Sequence, residues 1–378
     1  MYRIAIQPDE ISLPHGRTQS FSNRWIELLP QWGHEPVVVD AEKRDFFDRV
    51  AACDGFMWTI LQSVNSRHFG RRVLAALEHG MGIPVFPSWE TIWHFDDKIG
   101  QDYLLRAANI PTPDTHVFWY RRDAVEFCRA AKYPLVLKLA AGIMSRNVTL
   151  ARDFAEAEYW INRMFGAGVV SLEKPQIGGI RGARQRLRDA VRLLAKGIPP
   201  GVSPFAEVQR SYFFAQEFLA GNEFDHRVTV VGNRAFAFRR HNRPNDFRAS
   251  GSGRIDWDQS KIDPAMVRLA FGAQRKLGAQ SLAIDGLYRN GEPVVGEISY
   301  IYEGWAVAAC PGHWELHGEP HDGRLDWVEG SVRPDDAILE DFLALVARRK
   351  GEARPPEGGG RRRLQLAAET SLQLAGGH

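Results

Sequence analysis

The chain has 378 residues, of which 44% are hydrophobic and 25% are charged. This composition is that of an ordinary soluble globular protein with a large core and two or three domains. The 48 Lys and Arg residues nearly balance the 46 Asp and Glu residues, which leaves a formal net charge of +2. Such a balance excludes the global positive field that marks nucleic-acid binders, so we expect no nucleic-acid partner.

Cysteine spacing and the lengths of the apolar runs indicate the compartment. Cys53, Cys128 and Cys310 lack C-x-x-C spacing, which argues for reduced thiols and against a disulfide framework or a zinc site. The first apolar run ends before Asp9 and Glu10 and is too short for a signal-peptide core, and no run approaches ~18 apolar residues. We therefore expect a cytoplasmic protein with no membrane partner.

Strand and helix signals alternate over residues 1–95. They comprise, in order, "RIAIQ", the helical "SFSNRWIELLPQWG", "PVVVD", "DGFMWTI", the helical "RRVLAALEHGMG" and "IPVFPS". Strands separated by helix-length segments predict parallel βαβ winding, hence an α/β N-terminal domain. The segment lacks the G-x-G-x-x-G of a dinucleotide site. His15 and Gly16 follow the first strand, where open α/β sheets bind ligands, so a substrate contact and an ordinary loop remain alternatives there.

Residues 96–170 read as an α+β block. A helix with acidic residues at its start, "DDKIGQDYLLRAANIPTPDT", ends before Pro111. Next come "HVFWY", the helical "RDAVEFCRAAK", and "YPLVLKLAAGIMSRNVTLA", which we interpret as two strands joined by a glycine turn. Residues 155–165 form another predicted helix.

The segment 171–208 has a different residue pattern from the blocks on either side of it. Leu187, Val191 and Leu194 lie on one helical face and basic residues surround them. The pattern favours a solvated amphipathic helix, and a basic flap over an anionic ligand is the alternative.

Strand signals dominate the second α+β block, residues 209–347. The strands "YFFAQEFL", "DHRVTVV", "RAFAFRRH", "SLAIDGLY" and "PVVGEISYIY" accompany the helices "PAMVRLAFGAQRKLG" and "PDDAILEDFLALVARRK". The Gly-, Pro- and Arg-rich segment 348–378 is typical of a disordered tail.

Two lysines are candidates for binding an anion. Lys98 begins a predicted helix, and Lys138 interrupts the apolar strand "LVLKLA", where an unpaired ammonium is costly. The small-residue turn over 139–147 offers backbone N–H groups that suit a phosphate.

The stretch "AQEFLAGNEF" suits a hinge that grips a nucleoside. Backbone groups near Phe218 and Leu219 would pair with the adenine edge. Glu217 would lie beside the exocyclic amine, and Glu223 would take the ribose hydroxyls. Asp225 and Arg227 then alternate along a strand and share a face.

Three oxygen-bearing side chains end the last predicted hairpin. Asp285, Glu297 and Ser299 would form a cluster suited to Mg²⁺, which is held by one or two carboxylates and substrate phosphates. Direct pairing of the two acids requires an odd loop or a bulge, because a two-residue Asn290-Gly291 turn alone places them on opposite faces.

The order of these motifs resembles the ATP-grasp superfamily, in particular its glutathione-synthetase-like and ribosomal-protein glutamate-ligase-like carboxylate-amine ligases. The resemblance rests on Lys98, Lys138 with its turn, "QEFLAGNE", "DHRVTVVG", "NDFRASGSG", Asp285 and "GEIS", and it covers about residues 97–305. It implies an α/β N-terminal domain followed by two α+β lobes, 96–170 and 209–347, that clamp ATP.

The resemblance also implies roles for individual residues. The family's phosphate-binding lysines match Lys98 and Lys138, and its adenine hinge with the ribose contact matches Glu217, Phe218, Leu219 and Glu223. Its metal set matches Asp285, Glu297 and Ser299. The catalytic cations that it places against phosphate or an acyl phosphate match Arg227, Arg240 and Arg248. Ser299 departs from the family's usual Asn, and "RASGSG" lacks the Asn and His of the glutamate-ligase loop, which leaves the acceptor open.

The implied cofactors are ATP and Mg²⁺ or Mn²⁺, and the implied partners are a small-molecule carboxylate, an amine and a second copy of the chain in a homodimer. The implied reaction activates the carboxylate as an acyl phosphate that the amine captures. Two alternatives remain: an ATP-dependent phosphotransferase acting on a hydroxyl, and a nucleotide-binding protein without catalysis.

Overall fold

The computed structural model describes residues 1–9, 11–12, 18–142, 147–170 and 207–351. His15, Gly16, nearly all of the predicted insertion 171–208 and nearly all of the predicted tail 348–378 lie outside these residues. None of the helices in the described ranges combines the length and the apolar character that a membrane crossing requires. All three cysteines are free, as predicted.

A parallel four-stranded sheet forms the N-terminal part of the chain. The elements are β1 (Arg3–Gln7), β2 (Ile11–Ser12), β3 (Thr18–Gln19), α1 (Phe21–Gln31), β4 (Glu35–Val38), α2 (Phe46–Ala51), β5 (Gly55–Trp58), α3 (Val64–Ala75), a π-helical turn (Ala76–Gly80), β6 (Val85–Phe86) and α4 (Trp89–Ile92). The sheet order is β4-β1-β5-β6, and β1 pairs in parallel with both neighbours. The predicted βαβ winding is therefore present.

A second sheet is antiparallel and has four strands. Its part of the chain contains α5 (Lys98–Ala107), β7 (Thr115–Phe118), α6 (Arg121–Ala130), β8 (Leu135–Lys138), β9 (Val148–Ala151), α7 (Phe154–Met164), β10 (Val169–Val170), β11 (Val208–Gln209) and β12 (Phe213–Glu217). The order is β7-β12-β8-β9, and β10 and β11 form a separate pair. Lys138 is thus the last residue of a central strand.

The third sheet is larger and also antiparallel. The remaining elements are β13 (Phe224–Val231), β14 (Arg234–His241), β15 (Ile255–Asp256), a 3₁₀ turn (Gln259–Lys261), α8 (Pro264–Leu277), β16 (Ser281–Arg289), β17 (Glu292–Ser299), α9 (Gly304–Ala308), β18 (Gly312–His317), β19 (Arg324–Glu329) and α10 (Pro334–Arg349). The order is β17-β16-β13-β14-β18-β19, with β15 beside β14. The strands β18 and β19 were not predicted, because their Gly, His, Glu and Trp residues give no clean period-two pattern.

The helix α8 illustrates how local sequence sets an element. Asp263 accepts a hydrogen bond from the Ala265 N–H at the N-cap, and Pro264 occupies the first turn. Gly278 ends the helix at φ 64°, a left-handed conformation that glycine adopts at little cost. The apolar face between these caps packs on the third sheet around Val228, Ile284 and Val295.

The C-terminal helix α10 packs against the N-terminal sheet. Phe342 and Val346 share a core cluster with Ile4 and Ile6. The buried Arg24 guanidinium of α1 binds the Asp336 carboxylate, with its Nε 2.8 Å from Oδ1. The first sheet is thereby tied to the end of the second α+β block. The predicted domain boundaries remain predictions.

Acid should destabilise the fold through a buried histidine. His226 is 2% exposed, and burial lowers its pKa to about 4. Between pH 6.5 and 4 the unfolded chain binds more protons at this residue than the folded chain, so stability falls as the pH falls. From pH 7 to pH 5 we expect His226 to account for a loss of about 2 kcal/mol.

Urea unfolding of the chain and of His226→Gln at both pH values tests this expectation. The variant should lose less stability on acidification. His321→Gln, at a site with a 76% exposed side chain, is the matched control. An equal acid sensitivity in wild type and His226→Gln would contradict the assignment.

Candidate active site

A cleft of about 820 Å³ lies between the second and third sheets. One side is lined from the second sheet by residues that include Lys138, Thr149 and Gln216. The opposite side is lined from the third sheet by residues that include Asp285 and Glu297. The loop 242–250 and the connection after β12 complete the lining. Charged groups from both sheets therefore face the same cleft.

The turn and the register of β16 and β17 place Asp285 opposite Glu297. Asn290 and Gly291 have φ values of 54° and 87°, as a two-residue hairpin turn requires. The register from that turn continues to the pair of Gly286 with Val295 and then shifts, so that Asp285 pairs with Glu297. The bulge at Gly296 adds one residue to β17, and it returns both carboxylates to the same face.

The start of α5 fixes Lys98. Asp97 caps the helix by accepting hydrogen bonds from the N–H groups of Ile99 and Gly100, and Lys98 is the first helical residue. Its ammonium lies 3.1 Å from Glu297 Oε1 and donates to the Gly142 carbonyl at 3.1 Å. Burial lowers the pKa of Lys98, but the charges of Glu297 and Asp96 outweigh it and leave the pKa raised.

Lys138 faces the cleft from β8. Among the residues that the structure describes, no carboxylate lies within ion-pair distance of its ammonium. Burial lowers its pKa to about 8, while Glu297 acts in the opposite direction. An anionic ligand in the cleft would therefore stabilise the charged form of Lys138.

The turn after Lys138 differs from the predicted phosphate cover. The Leu139 N–H donates to the Asn147 carbonyl, and the N–H groups of Ala140, Ala141 and Gly142 donate to Tyr212, Gln209 and Asp96. Residues 143–146 lie outside the described ranges. In the described part of the turn, the protein itself uses the donors that the sequence assigned to phosphate.

Arginines hold Asp285 in place. Arg227 Nε lies 2.6 Å from Asp285 Oδ1, and an Arg240 terminal nitrogen lies 2.7 Å from Oδ2. Arg240 also binds both oxygens of Asp225, at 2.8 and 2.6 Å. Burial raises the pKa of Asp285, but Arg227 and Arg240 outweigh it, so the carboxyl has a lowered pKa. Desolvation dominates at Asp225 and raises its pKa.

The three predicted catalytic arginines thus have different positions. Arg227 and Arg240 reach the cleft through Asp285, which lines it. Arg248 lines the cleft directly, pairs with Asp246 at 2.6 Å and donates to the Val148 carbonyl of β9 at 3.4 Å. The loop that carries Arg248 therefore contacts the opposite sheet.

The third predicted metal ligand is engaged locally. The Ser299 hydroxyl donates to the Ile301 carbonyl at 2.8 Å and accepts from the Ile301 N–H at 3.2 Å. Strand alternation puts it on the face of Glu297, but its hydroxyl serves the turn after β17. The structure brings Asp285 and Glu297 together and does not add Ser299 to the cleft lining.

All four predicted hinge residues line the cleft: Glu217, Phe218, Leu219 and Glu223. Glu217 Oε1 accepts from the Asp114 N–H at 2.7 Å and lies 2.9 Å from Arg289 Nε, so its carboxylate is partly used. Phe218 packs edge-on against Phe247, with ring centroids 5.7 Å apart. Glu223 is solvent-exposed.

Three residues at the site received no role from the sequence. Phe247 lines the cleft from the loop 242–250, which also carries Arg248. Asp225 was placed on the face of Arg227, but its bond to Arg240 depends on strand pairing. Asp102 lies one turn after Lys98 on α5, and this i, i+4 spacing was the signal that could have drawn attention to it.

Comparisons with known proteins support the fold. No protein-family model matches the chain. Over 87 residues the chain is 31% identical to the alpha-aminoadipate–LysW ligase LysX of Saccharolobus solfataricus, a match that covers 23% of this chain and 32% of that relative. The chain therefore spans about a third of the length of this curated relative.

Solved structures resemble more of the chain. The crystal structure of D-cycloserine synthetase DcsG aligns with a TM-score of 0.52 and 14% identity, and covers 92% of this chain and 99% of its own. A RimK-domain ATP-grasp protein of Sphaerobacter thermophilus aligns with a TM-score of 0.44 and 20% identity over 78% of this chain and 90% of its own.

The two antiparallel sheets around a cleft, preceded by a parallel sheet, form the ATP-grasp fold. The chain shares this fold with D-cycloserine synthetase DcsG. The predicted fold class is confirmed.

Removing the carboxylate of Asp285 should destabilise the fold. Asp285→Ala leaves the largely buried side chains of Arg227 and Arg240 without the anion between them, so we expect a loss of about 3 kcal/mol. Urea unfolding measures this loss, and Glu223→Ala, at an exposed position of the same cleft, is the control. A variant as stable as wild type would show that the ion-pair network does not support the sheet.

Proposed function

We propose that the protein is an ATP- and Mg²⁺-dependent ligase that activates a small-molecule carboxylate and joins it to an amine. The observation that carries the proposal is the paired Asp285 and Glu297, which line a cleft of about 820 Å³ together with Lys138, while Lys98 lies 3.1 Å from Glu297. Phosphoryl transfer needs mainly positioning and charge neutralisation, and these groups are suited to both.

The residues fit a magnesium ion in part. Mg²⁺ is commonly held by one or two carboxylates together with substrate phosphates, and Asp285 and Glu297 offer two carboxylates on one face. Among the described residues, no group of three or more His, Cys, Asp or Glu side chains is arranged for a metal. We therefore assign the metal to Asp285 and Glu297 with nucleotide oxygens, and leave Ser299 out. When bound, the ion would neutralise charge on the transferred phosphoryl group.

The lysines and the hinge would hold the nucleotide. Lys138, which has no ion-pair partner in the described part of the chain, would bind a phosphate. Lys98 would bind a second phosphate beside Glu297. The hinge backbone at Phe218 and Leu219 would meet the adenine edge, and Glu223 would meet the ribose. Phe247, which packs on Phe218, would exclude water from the base.

The proposed chemistry has two steps. An oxygen of the substrate carboxylate attacks the γ-phosphorus of ATP, the bond to the β-phosphate oxygen breaks, and an acyl phosphate and ADP form. The amine nitrogen then attacks the acyl carbon, loses a proton, and phosphate leaves. Arg248 lines the cleft and would lie against the transferred phosphate. Its contact with β9 at Val148 would help to close the cleft over the acyl phosphate, which water otherwise hydrolyses.

The likeness to named ligases and synthetases supports this reaction class. ADP release in the presence of candidate acids, with hydroxylamine as the trapping amine, tests it. An acyl hydroxamate is the expected product. A phosphorylated alcohol would support the phosphotransferase alternative, and ATP binding without turnover would support the non-catalytic alternative.

Glu297→Ala should abolish magnesium-dependent turnover, because it removes one of the two carboxylates assigned to the metal. Hydroxamate formation, with folding checked by circular dichroism, is the measurement. Glu292→Ala removes an exposed carboxylate from the same strand and should retain activity. Retained activity in Glu297→Ala would contradict the metal assignment.

Lys138→Ala should weaken ATP binding at least tenfold, which corresponds to about 1.4 kcal/mol, because the cleft loses an ammonium that faces the phosphates. Calorimetry with a non-hydrolysable ATP analogue measures the affinity. Lys132→Ala changes an exposed lysine before the same strand and should bind the analogue normally. Unchanged affinity in Lys138→Ala would refute the role.

A further inference from the structure

A second, much smaller cavity lies behind the wall of the cleft. Its volume is about 20 Å³, which is the space that one water molecule needs. Four residues line both the cleft and this cavity, and so form the wall between them: Lys138, Gln216, Gly296 and Glu297. The far side of the small cavity is formed by α5, including Lys98 and Asp102.

Asp102 is an unusual residue to find behind this wall. It is 6% exposed and pairs with Arg106 of its own helix, whose side chain is 49% exposed. Burial of a carboxylate is costly without a compensating cation nearby. A pair between Asp102 and Arg106 on the solvent side of α5 would serve the helix equally well, so the helix alone gives no reason to bury this acid.

The two lysines that line the small cavity differ in their anionic partners. Lys98 has a direct carboxylate contact at Glu297 Oε1, 3.1 Å away. Lys138 has no such contact among the described residues, yet it shares the small cavity with Asp102. The two charges act on each other across the cavity. Burial lowers the pKa of Lys138, and the charge of Asp102 opposes that shift. Burial raises the pKa of Asp102, and the charge of Lys138 opposes that shift.

We propose that Asp102 is a positioning residue for Lys138 and that a single buried water in the small cavity links its carboxylate to the lysine ammonium. The carboxylate accepts from the water, the water accepts from the ammonium, and the Gln216 amide offers a third polar partner. Lys138 thereby keeps a fixed position in the wall of the cleft when Glu297 is occupied by Lys98 or by a metal. This inference rests on the proposed role of Lys138 in nucleotide binding.

The inference predicts coupling between two residues that form no direct ion pair. Asp102→Asn retains the shape and the polar contacts of the side chain but removes its charge, so the affinity for a non-hydrolysable ATP analogue should fall about fivefold. In the Lys138→Ala background the same substitution should have no effect, because the ammonium that Asp102 serves is absent. A merely structural role of Asp102 would weaken binding equally in both backgrounds.

Calorimetry on wild type, Asp102→Asn, Lys138→Ala and the double variant provides the cycle, and circular dichroism checks that each variant is folded. Arg106→Met removes the known partner of Asp102 and should leave the affinity unchanged. Asp102→Ser is a second variant should Asp102→Asn not fold.

The outcomes separate the two proposals. A loss in Asp102→Asn that disappears without Lys138 supports the inference. A loss that persists without Lys138, or no loss in Asp102→Asn, overturns it and leaves the proposed function standing. Failure of the wild-type chain to bind the analogue overturns the proposed function and this inference with it.

Discussion

Repulsion between two neighbouring carboxylates is the constraint on which the site depends. Asp285 and Glu297 are direct cross-strand partners, and two acids this close keep their charges only if cations lie beside them. The structure supplies Lys98 to Glu297, and Arg227 and Arg240 to Asp285. The cations come from α5 and from two other strands of the third sheet. The two carboxylates can therefore both remain charged only when these elements have assembled.

Further charged residues, outside the cleft, hold the charged groups of the site in place. Arg240 is shared between Asp225 and Asp285, so the third sheet carries alternating charges across neighbouring strands. Behind the wall of the cleft, α5 carries both Lys98 and Asp102 on its buried face. A divalent ion and a polyphosphate would enter a site whose positive and negative groups are already held in place. Preorganised charge of this kind costs little reorganisation when the ligand arrives.

Much of the fold follows from sequence patterns, with informative exceptions. The parallel winding of the first sheet, the helices α5 and α8, and the strands β12, β13, β14, β16 and β17 agree with the predictions from the sequence. The pair β18 and β19 was not predicted, because its residues are stabilised by pairing with β14 and by the contact of Trp314 with Trp327. At the site, Lys138, the predicted hinge residues and the acid pair line one cleft and Lys98 lies behind its wall, whereas Ser299 and the turn after Lys138 form local hydrogen bonds. Local sequence does not reveal which donors the backbone has already used.

The sequence by itself determined the order of most of the elements and the placing of the charged residues on them, because these depend on periodicity, capping and turn residues that act over a few positions. Only the tertiary structure decided that Asp285 faces Glu297, since a two-residue turn alone predicts opposite faces and one extra residue at Gly296 reverses that result. It also decided that Arg227 and Arg240 bind Asp285, and that Asp102 lies behind Lys138. Each of these contacts joins residues from different strands or helices, and their distances are set by packing across the whole chain.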